Sequence, residues 1–160
     1  MTEIGTGDPP ALDIPERALT EYLPMRAERD EPAFTWTGRD GAEHTLSWPG
    51  LLARVQALAA HVVETYDGDT AALWTGVSDG RELFARIAAL PGFGTQKAQI
   101  FTALLGKQRG VTPQGWREAA GAYGEDGAHR SVDDVVDPES LVKVREFKQA
   151  AKAAAKAARA

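Results

Sequence analysis

The chain has 160 residues, of which 43% are hydrophobic and 26% charged, and its formal net charge at pH 7 is −5. This length suits one domain, or one small domain with an appendage, and the apolar fraction is too high for a wholly disordered chain. No apolar run reaches the length of about eighteen residues that a membrane-spanning helix needs, and the absence of cysteine excludes disulfides and thiolate chemistry. The acidic N-terminus lacks the apolar core of a secretion signal, so we expect a cytoplasmic protein with no membrane partner.

The first fifty residues predict a leader followed by a small β-hairpin. Residues 1–15 are rich in glycine and proline and have few apolar anchors, which predicts disorder. Residues 16–50 predict one short helix, up to about Arg29, and then a hairpin. Its two β-prone segments, residues 33–37 and 43–48, are separated by a glycine-flanked turn.

Beyond residue 50 the pattern predicts only helices, so we assign a mainly α fold with a domain boundary there. Three residues are positioned to cap successive helices, namely Ser47, Asp69 and Ser78. A fourth helix is predicted over residues 95–109, with an inward face formed by Ile100, Phe101, Leu104 and Leu105. Pro113 is predicted to open a shorter helix, residues 121–127 a loop, and the last helix begins at about Pro138.

The most informative segment is Leu90-Pro91-Gly92-Phe93-Gly94, which joins two amphipathic helices. Two glycines around one apolar residue permit a tight turn whose amides face outward at a helix N-terminus, where an anion is favoured.

With the positive charges of Lys97 and Lys107 nearby, this pattern resembles the helix-hairpin-helix element that grips a DNA phosphate. The resemblance implies a phosphate site formed by Gly92, Gly94, Lys97 and Lys107. The alternative is an ordinary αα-hairpin whose glycines only permit the turn.

The charges are unevenly distributed along the chain. Residues 83–117 contain five basic residues and no acid, and residues 141–160 contain six basic residues and one acid. The second block forms a stripe at steps of three and four residues, which predicts an accessory contribution to binding from Lys148, Lys152 and Lys156. Such blocks indicate a polyanionic partner. As an alternative to such a partner, the basic residues of each block lie on a face that only solvent contacts. For the last helix, a further alternative is that the cations complement the helix dipole.

Residues 52–160 together resemble the helix-hairpin-helix (HhH-GPD) family of base-excision DNA glycosylases. The matching segments are RVQAL (54–58), YDGD (66–69), LPGFG (90–94), ALLGKQ (103–108), GWREAA (115–120), RSV (130–132) and DPESL (137–141). The resemblance implies a helical helix-hairpin-helix domain that grips double-stranded, damaged or undamaged DNA through its phosphates. We expect no cofactor and no metal site, because the three histidines lack ligand spacing.

Three departures from that family bear on catalysis. At the position of its catalytic aspartate this chain has Gln114, which cannot act as a carboxylate base. At the position of the strand-cleaving lysine it has Gln96, with Lys97 one residue away. Glu118 substitutes for the missing carboxylate only if its loop delivers it to the same place. The helices that complete the family's base pocket are not recognisable, so we assign no catalytic residue and expect residual or no glycosylase activity.

Residues 19–60 resemble instead the N-terminus of fatty-acyl-AMP ligases. The matching segments are LTEYLPMRA (19–27), PAFTW (32–36), TLSW (45–48) and RVQAL (54–58). The last segment belongs to both resemblances, which predicts a fusion with its junction near residues 50–60. The alternatives to a DNA-binding protein are therefore an inactive fusion or interaction fragment that binds no DNA, and a fragment of an acyl-AMP ligase. The ligase family's ATP-binding phosphate loop has no match here.

Overall fold

The structure is a computed structural model that describes residues 19–38 and 41–158, with side chains from Glu21 onward. This part of the chain contains six α-helices and a two-stranded antiparallel sheet, which confirms the mainly α prediction with an N-terminal hairpin. The elements are α1 (Leu19–Ala27), β1 (Pro32–Thr37), β2 (Glu43–Ser47), α2 (Trp48–Tyr66), α3 (Gly80–Ala88), α4 (Thr95–Arg109), α5 (Trp116–Ala120) and α6 (Pro138–Ala157). Three short 3-10 helices lie between them, at Thr70–Leu73, Gly121–Gly124 and Val132–Asp134. The predicted leader, residues 1–15, lies outside the described residues.

The chain divides into two compact units between Val55 and Gln56, inside α2. In the first unit, β1 and β2 pair with Trp36 opposite His44, and these two rings stack with centroids 5.5 Å apart. Trp48 anchors α1 in the same unit, because the Arg26 guanidinium lies 4.8 Å from the centre of its ring.

The second unit is built around α3 and α4. Its buried apolar core consists of Leu73, Leu83, Ile87, Leu90, Ala98 and Leu105. The start of α3 differs from the prediction by one residue, since Asp79 rather than Ser78 is the N-cap and accepts a 2.8 Å hydrogen bond from the Glu82 amide. Ser78 instead donates to the Glu82 carboxylate through both its amide and its hydroxyl, 2.8 and 2.7 Å away.

Helix α4 has the predicted bounds but a different inward face. Its buried residues are Ala98, Thr102, Ala103, Leu105 and Gly106, whereas three of the four residues predicted to face inward are half-buried. Small residues are needed there because the ring of Trp116 lies directly against the helix. A Cβ added at Gly106 would sit 2.3 Å from Cζ3 of that ring.

The helices after α4 agree only in part with the bounds predicted from the sequence. α5 begins at Trp116 rather than at Pro113, because Gly115 adopts a left-handed conformation (φ 77°) just before it. Residues predicted as a loop after α5 include the 3-10 helix Gly121–Gly124. α6 starts with a capping box in which Asp137 and Ser140 bond each other's backbone amides. None of the helices in the described ranges is long and apolar enough to cross a membrane.

Candidate nucleic-acid interface

The turn between α3 and α4 is anchored by its apolar residues. Leu90 is buried in the core and its carbonyl accepts a 3.0 Å hydrogen bond from the Phe93 amide. Phe93 is half-buried and packs edge-on against Phe101, with ring centroids 6.0 Å apart. Because these side chains point into the protein, the glycines between and after them lie on the outer surface of the turn.

Gly92 and Gly94 are both exposed, and a Cβ added at either would meet no atom within 4 Å. Gly92 has a φ of 82°, a conformation that favours glycine. Gly94 differs, because its backbone is extended (φ −98°, ψ 176°), and it is the N-cap of α4 without a side chain to bond the first-turn amides. The start of α4 is therefore open to close approach from solvent.

Lys97 is held at this turn by a hydrogen bond. Its Nζ donates to the carbonyl oxygen of Gly92 over 2.9 Å, and its side chain is exposed. An ammonium group has three donors, so this bond leaves two for another acceptor. The structure thus brings together three of the four residues predicted for the phosphate site.

Lys107, the fourth residue, is placed elsewhere. Its Nζ lies 3.1 Å from Oδ2 of Asp133 and 2.5 Å from Oδ1 of Asp134, and its side chain is only 16% exposed. Burial raises the pKa of Asp133 against the opposing effect of Lys107. Next to it, Gln108 donates to three carbonyl oxygens of residues 132, 133 and 135. This end of α4 therefore holds the 3-10 helix Val132–Asp134 and offers no free lysine charge.

Other cations of the acid-free block, residues 83–117, also form ion pairs with carboxylates from outside it. Arg117 pairs with Asp126 over 2.7 Å, and Arg86 with Glu82 over 2.5 Å. Hydrogen bonds from the backbone and side chain of Ser78, together with Arg86, lower the pKa of Glu82 to about 2. In the part of the block that the structure describes, the cations without an ion pair are Lys97 and Arg109. An acid-free run in the sequence is thus not an acid-free surface.

The predicted basic stripe lies on an exposed helix. Every described residue of α6 from Arg145 onward is exposed. At about 100° per residue, Arg145, Lys148, Lys152 and Lys156 fall within roughly 80° of the helix circumference. Among the described residues these four cations make no ion pair, and Glu146 projects to the other side of the helix. Arg159 lies outside the described residues.

Gln114 and Glu118 line one cavity of about 530 Å3 together with Asp79, Arg81, Gly115 and Ala119. The backbone carbonyl of Gln114 accepts a 2.8 Å hydrogen bond from the Gly80 amide, which connects the loop before α5 to the start of α3. Trp116, at the start of α5, is 8% exposed and belongs to the core. The side chain of Gln96 donates to the Tyr123 hydroxyl, 2.8 Å away.

No group of three or more histidine, aspartate or glutamate side chains in the described ranges is arranged to hold a metal ion. No family model matches the chain, and searches of curated proteins and of solved structures likewise find no match. The resemblances to HhH-GPD glycosylases and to fatty-acyl-AMP ligases therefore stay predictions that rest on the residues quoted for them.

Proposed function

We propose that this chain binds double-stranded DNA by gripping its phosphate backbone through the turn between α3 and α4. The observation that carries the proposal is the surface formed by Gly92, Gly94 and Lys97. Two exposed glycines leave the backbone open, and a lysine ammonium is tethered to the carbonyl of the first glycine. A phosphate oxygen at this place would meet the amides and positive dipole end of α4 as well as the ammonium group.

Such a contact positions a protein on the duplex and carries no base-sequence information. The exposed stripe of Lys148, Lys152 and Lys156 would add non-specific affinity, since each phosphate that a cation neutralises releases a counterion. Lys107 is left out of this proposal because its charge is used inside the protein.

We further propose that the role is of the base-excision-repair type, on damaged or undamaged duplexes, with residual or no glycosylase activity. The support is the resemblance of residues 52–160, together with the absence of a carboxylate at position 114. The cytoplasmic location expected from the sequence belongs to the same proposal.

A second candidate is an interaction fragment that binds no DNA. The internal pairing of Arg86, Lys107 and Arg117 favours it, because three of the five cations in the acid-free block already have carboxylate partners. The two candidates differ in salt dependence. Phosphate binding must weaken as salt rises, with a slope in log Kobs against log salt of about −0.9 per contact.

The test uses Gly94→Asp, a substitution that separates folding from binding. Aspartate is a better N-cap than glycine and suits the positive end of a helix dipole, so the variant is expected to be at least as stable as the wild type. The added carboxylate would repel a phosphate at the same place. The matched control is Gln56→Glu, which makes the same charge change at an exposed position of α2.

Binding is measured by fluorescence anisotropy with labelled duplexes, with and without an abasic-site analogue, at two salt concentrations. The expected result is salt-sensitive binding by the wild type and by Gln56→Glu, and a loss of at least tenfold in affinity for Gly94→Asp. Equal affinities for the two variants would refute the phosphate site at this turn. Negligible binding by all three proteins would favour the interaction fragment.

A further inference from the structure

A cavity of about 490 Å3 lies beside the C-terminal half of α4, in the second unit. Its lining consists of Trp74, Phe101, Leu104, Leu105, Arg109 and Val111. Five of these six residues are apolar and one carries a charge. Cavities of this volume, with mostly apolar walls and few polar groups, are typical of sites for small molecules.

Two walls come from α4 and the turn that ends it. Phe101, Leu104 and Leu105 recur at three- and four-residue spacing and so share one side of the helix. Gly110 ends α4 in the left-handed conformation (φ 69°), after which the Val111 amide donates to the Leu105 carbonyl over 3.1 Å. This reversal folds the chain back and places Val111 at the cavity.

The third wall is Trp74, whose loop is held in place by Arg86. One guanidinium nitrogen of Arg86 donates to the carbonyls of Ala72 and Thr75, 2.7 and 3.1 Å away, on either side of Trp74. The second terminal nitrogen of that guanidinium forms an ion pair with Glu82 of α3, so the loop is held against this helix. The backbone on either side of Trp74 is thus held in place by contacts within the protein.

Arg109 supplies the charge of the cavity. Its side chain is exposed at the end of α4 and makes no ion pair within the described part of the chain. A guanidinium group presents paired donors that match a carboxylate in a planar, two-bond geometry. A cationic ligand would be repelled, and a strongly polar ligand would find few partners among the apolar walls.

We propose that this cavity binds a small molecule with a flat apolar body and a carboxylate, the body lying between Trp74 and Phe101 and the carboxylate on Arg109. The proposal does not depend on DNA binding, because none of its residues belongs to the turn that carries the phosphate site. A bicyclic aromatic carboxylate has the required shape and charge, so 2-naphthoate serves as the probe.

The experiment is isothermal titration of the full-length protein with 2-naphthoate and with its neutral counterpart, 2-naphthylmethanol. The wild type is expected to bind the carboxylate with a Kd below about 1 mM and the alcohol about tenfold more weakly. Arg109→Gln is expected to weaken carboxylate binding by about tenfold and to leave alcohol binding unchanged. Arg81→Gln, which removes an exposed arginine from a different cavity, is the matched control.

Three results would overturn the proposal. They are no binding of 2-naphthoate, equal affinities for the acid and the alcohol, and equal losses of carboxylate affinity in the Arg109 and Arg81 variants. Circular dichroism of each variant before titration verifies that the fold is intact. Arg109→Lys keeps the charge but not the paired donors, and an affinity between those of wild type and Arg109→Gln is the expected result.

Discussion

Removal of the Lys107 ammonium group is expected to be among the most damaging single changes in the second unit. The side chains of Asp133 and Asp134 are 0% and 4% exposed, and Oδ1 of Asp133 has no hydrogen-bond partner among the described residues. Lys107→Met keeps the length of the side chain but leaves both carboxylates without their cation. Breaking a buried pair in this way costs about 3–5 kcal/mol of unfolding free energy.

The unfolding free energy lost in Lys107→Met is expected to increase from acidic to neutral pH. Burial already raises the pKa of Asp133 above its ordinary value, and removal of Lys107 takes away an opposing effect that lowers it. A carboxyl group with a raised pKa in the folded state favours folding at low pH, and that contribution disappears as pH rises through the folded-state pKa. The destabilisation of Lys107→Met relative to wild type should therefore be largest at neutral pH and shrink under acidic conditions, where the carboxyl group is protonated.

The assay is urea denaturation of wild type and Lys107→Met at neutral and mildly acidic pH. A triple variant with Asp133→Asn and Asp134→Asn removes the uncompensated charges and is expected to regain part of the lost stability. A loss below about 1 kcal/mol at neutral pH would place the pair in the range of exposed salt bridges and refute the reasoning. The same loss at both pH values would refute the assigned charge state.

Two further predictions concern α4 and α6. Gly106→Ala should destabilise the protein by about 1–3 kcal/mol in denaturant titrations, because the new Cβ would overlap the Trp116 ring, and a change below 0.5 kcal/mol would contradict the packing described. Among the described residues, truncation after residue 149 removes only exposed ones, so the unfolding midpoint should stay nearly constant. If α6 contacts DNA, the accompanying loss of Lys152, Lys156 and Arg159 should reduce the salt slope by about 0.9 for each lost contact, and an unchanged slope would exclude a contribution from these three cations.

Local signals in the sequence predicted the elements well where a cap or a turn residue acts on its own neighbours. Asp69 caps the 3-10 helix that follows it, and its carboxylate accepts a hydrogen bond of 2.8 Å from the Ala71 amide. The last helix begins at Pro138, as predicted. The hairpin of β1 and β2 and the bounds of α4 were predicted in the same way. Ser78 shows the precision of such signals, since the cap is formed one residue later, by Asp79, which accepts a hydrogen bond from the Glu82 amide.

The placement of charges and of the helix faces depended on residues distant in the sequence. Asp133 and Asp134 follow Lys107 by more than twenty residues, so no local pattern could show that this lysine is buried in an ion pair. The inward face of α4 was likewise set by the ring of Trp116, which only small residues can accommodate.

The sequence alone was sufficient for the helical composition, the N-terminal hairpin and the glycine turn after α3, because caps, turns and periodicity act over a few residues. The tertiary structure alone decided which basic residues keep a free charge, because an ion pair forms between groups that folding brings together. It left Lys97 exposed at the turn and Arg109 beside an apolar cavity, and it enclosed Lys107 between two carboxylates.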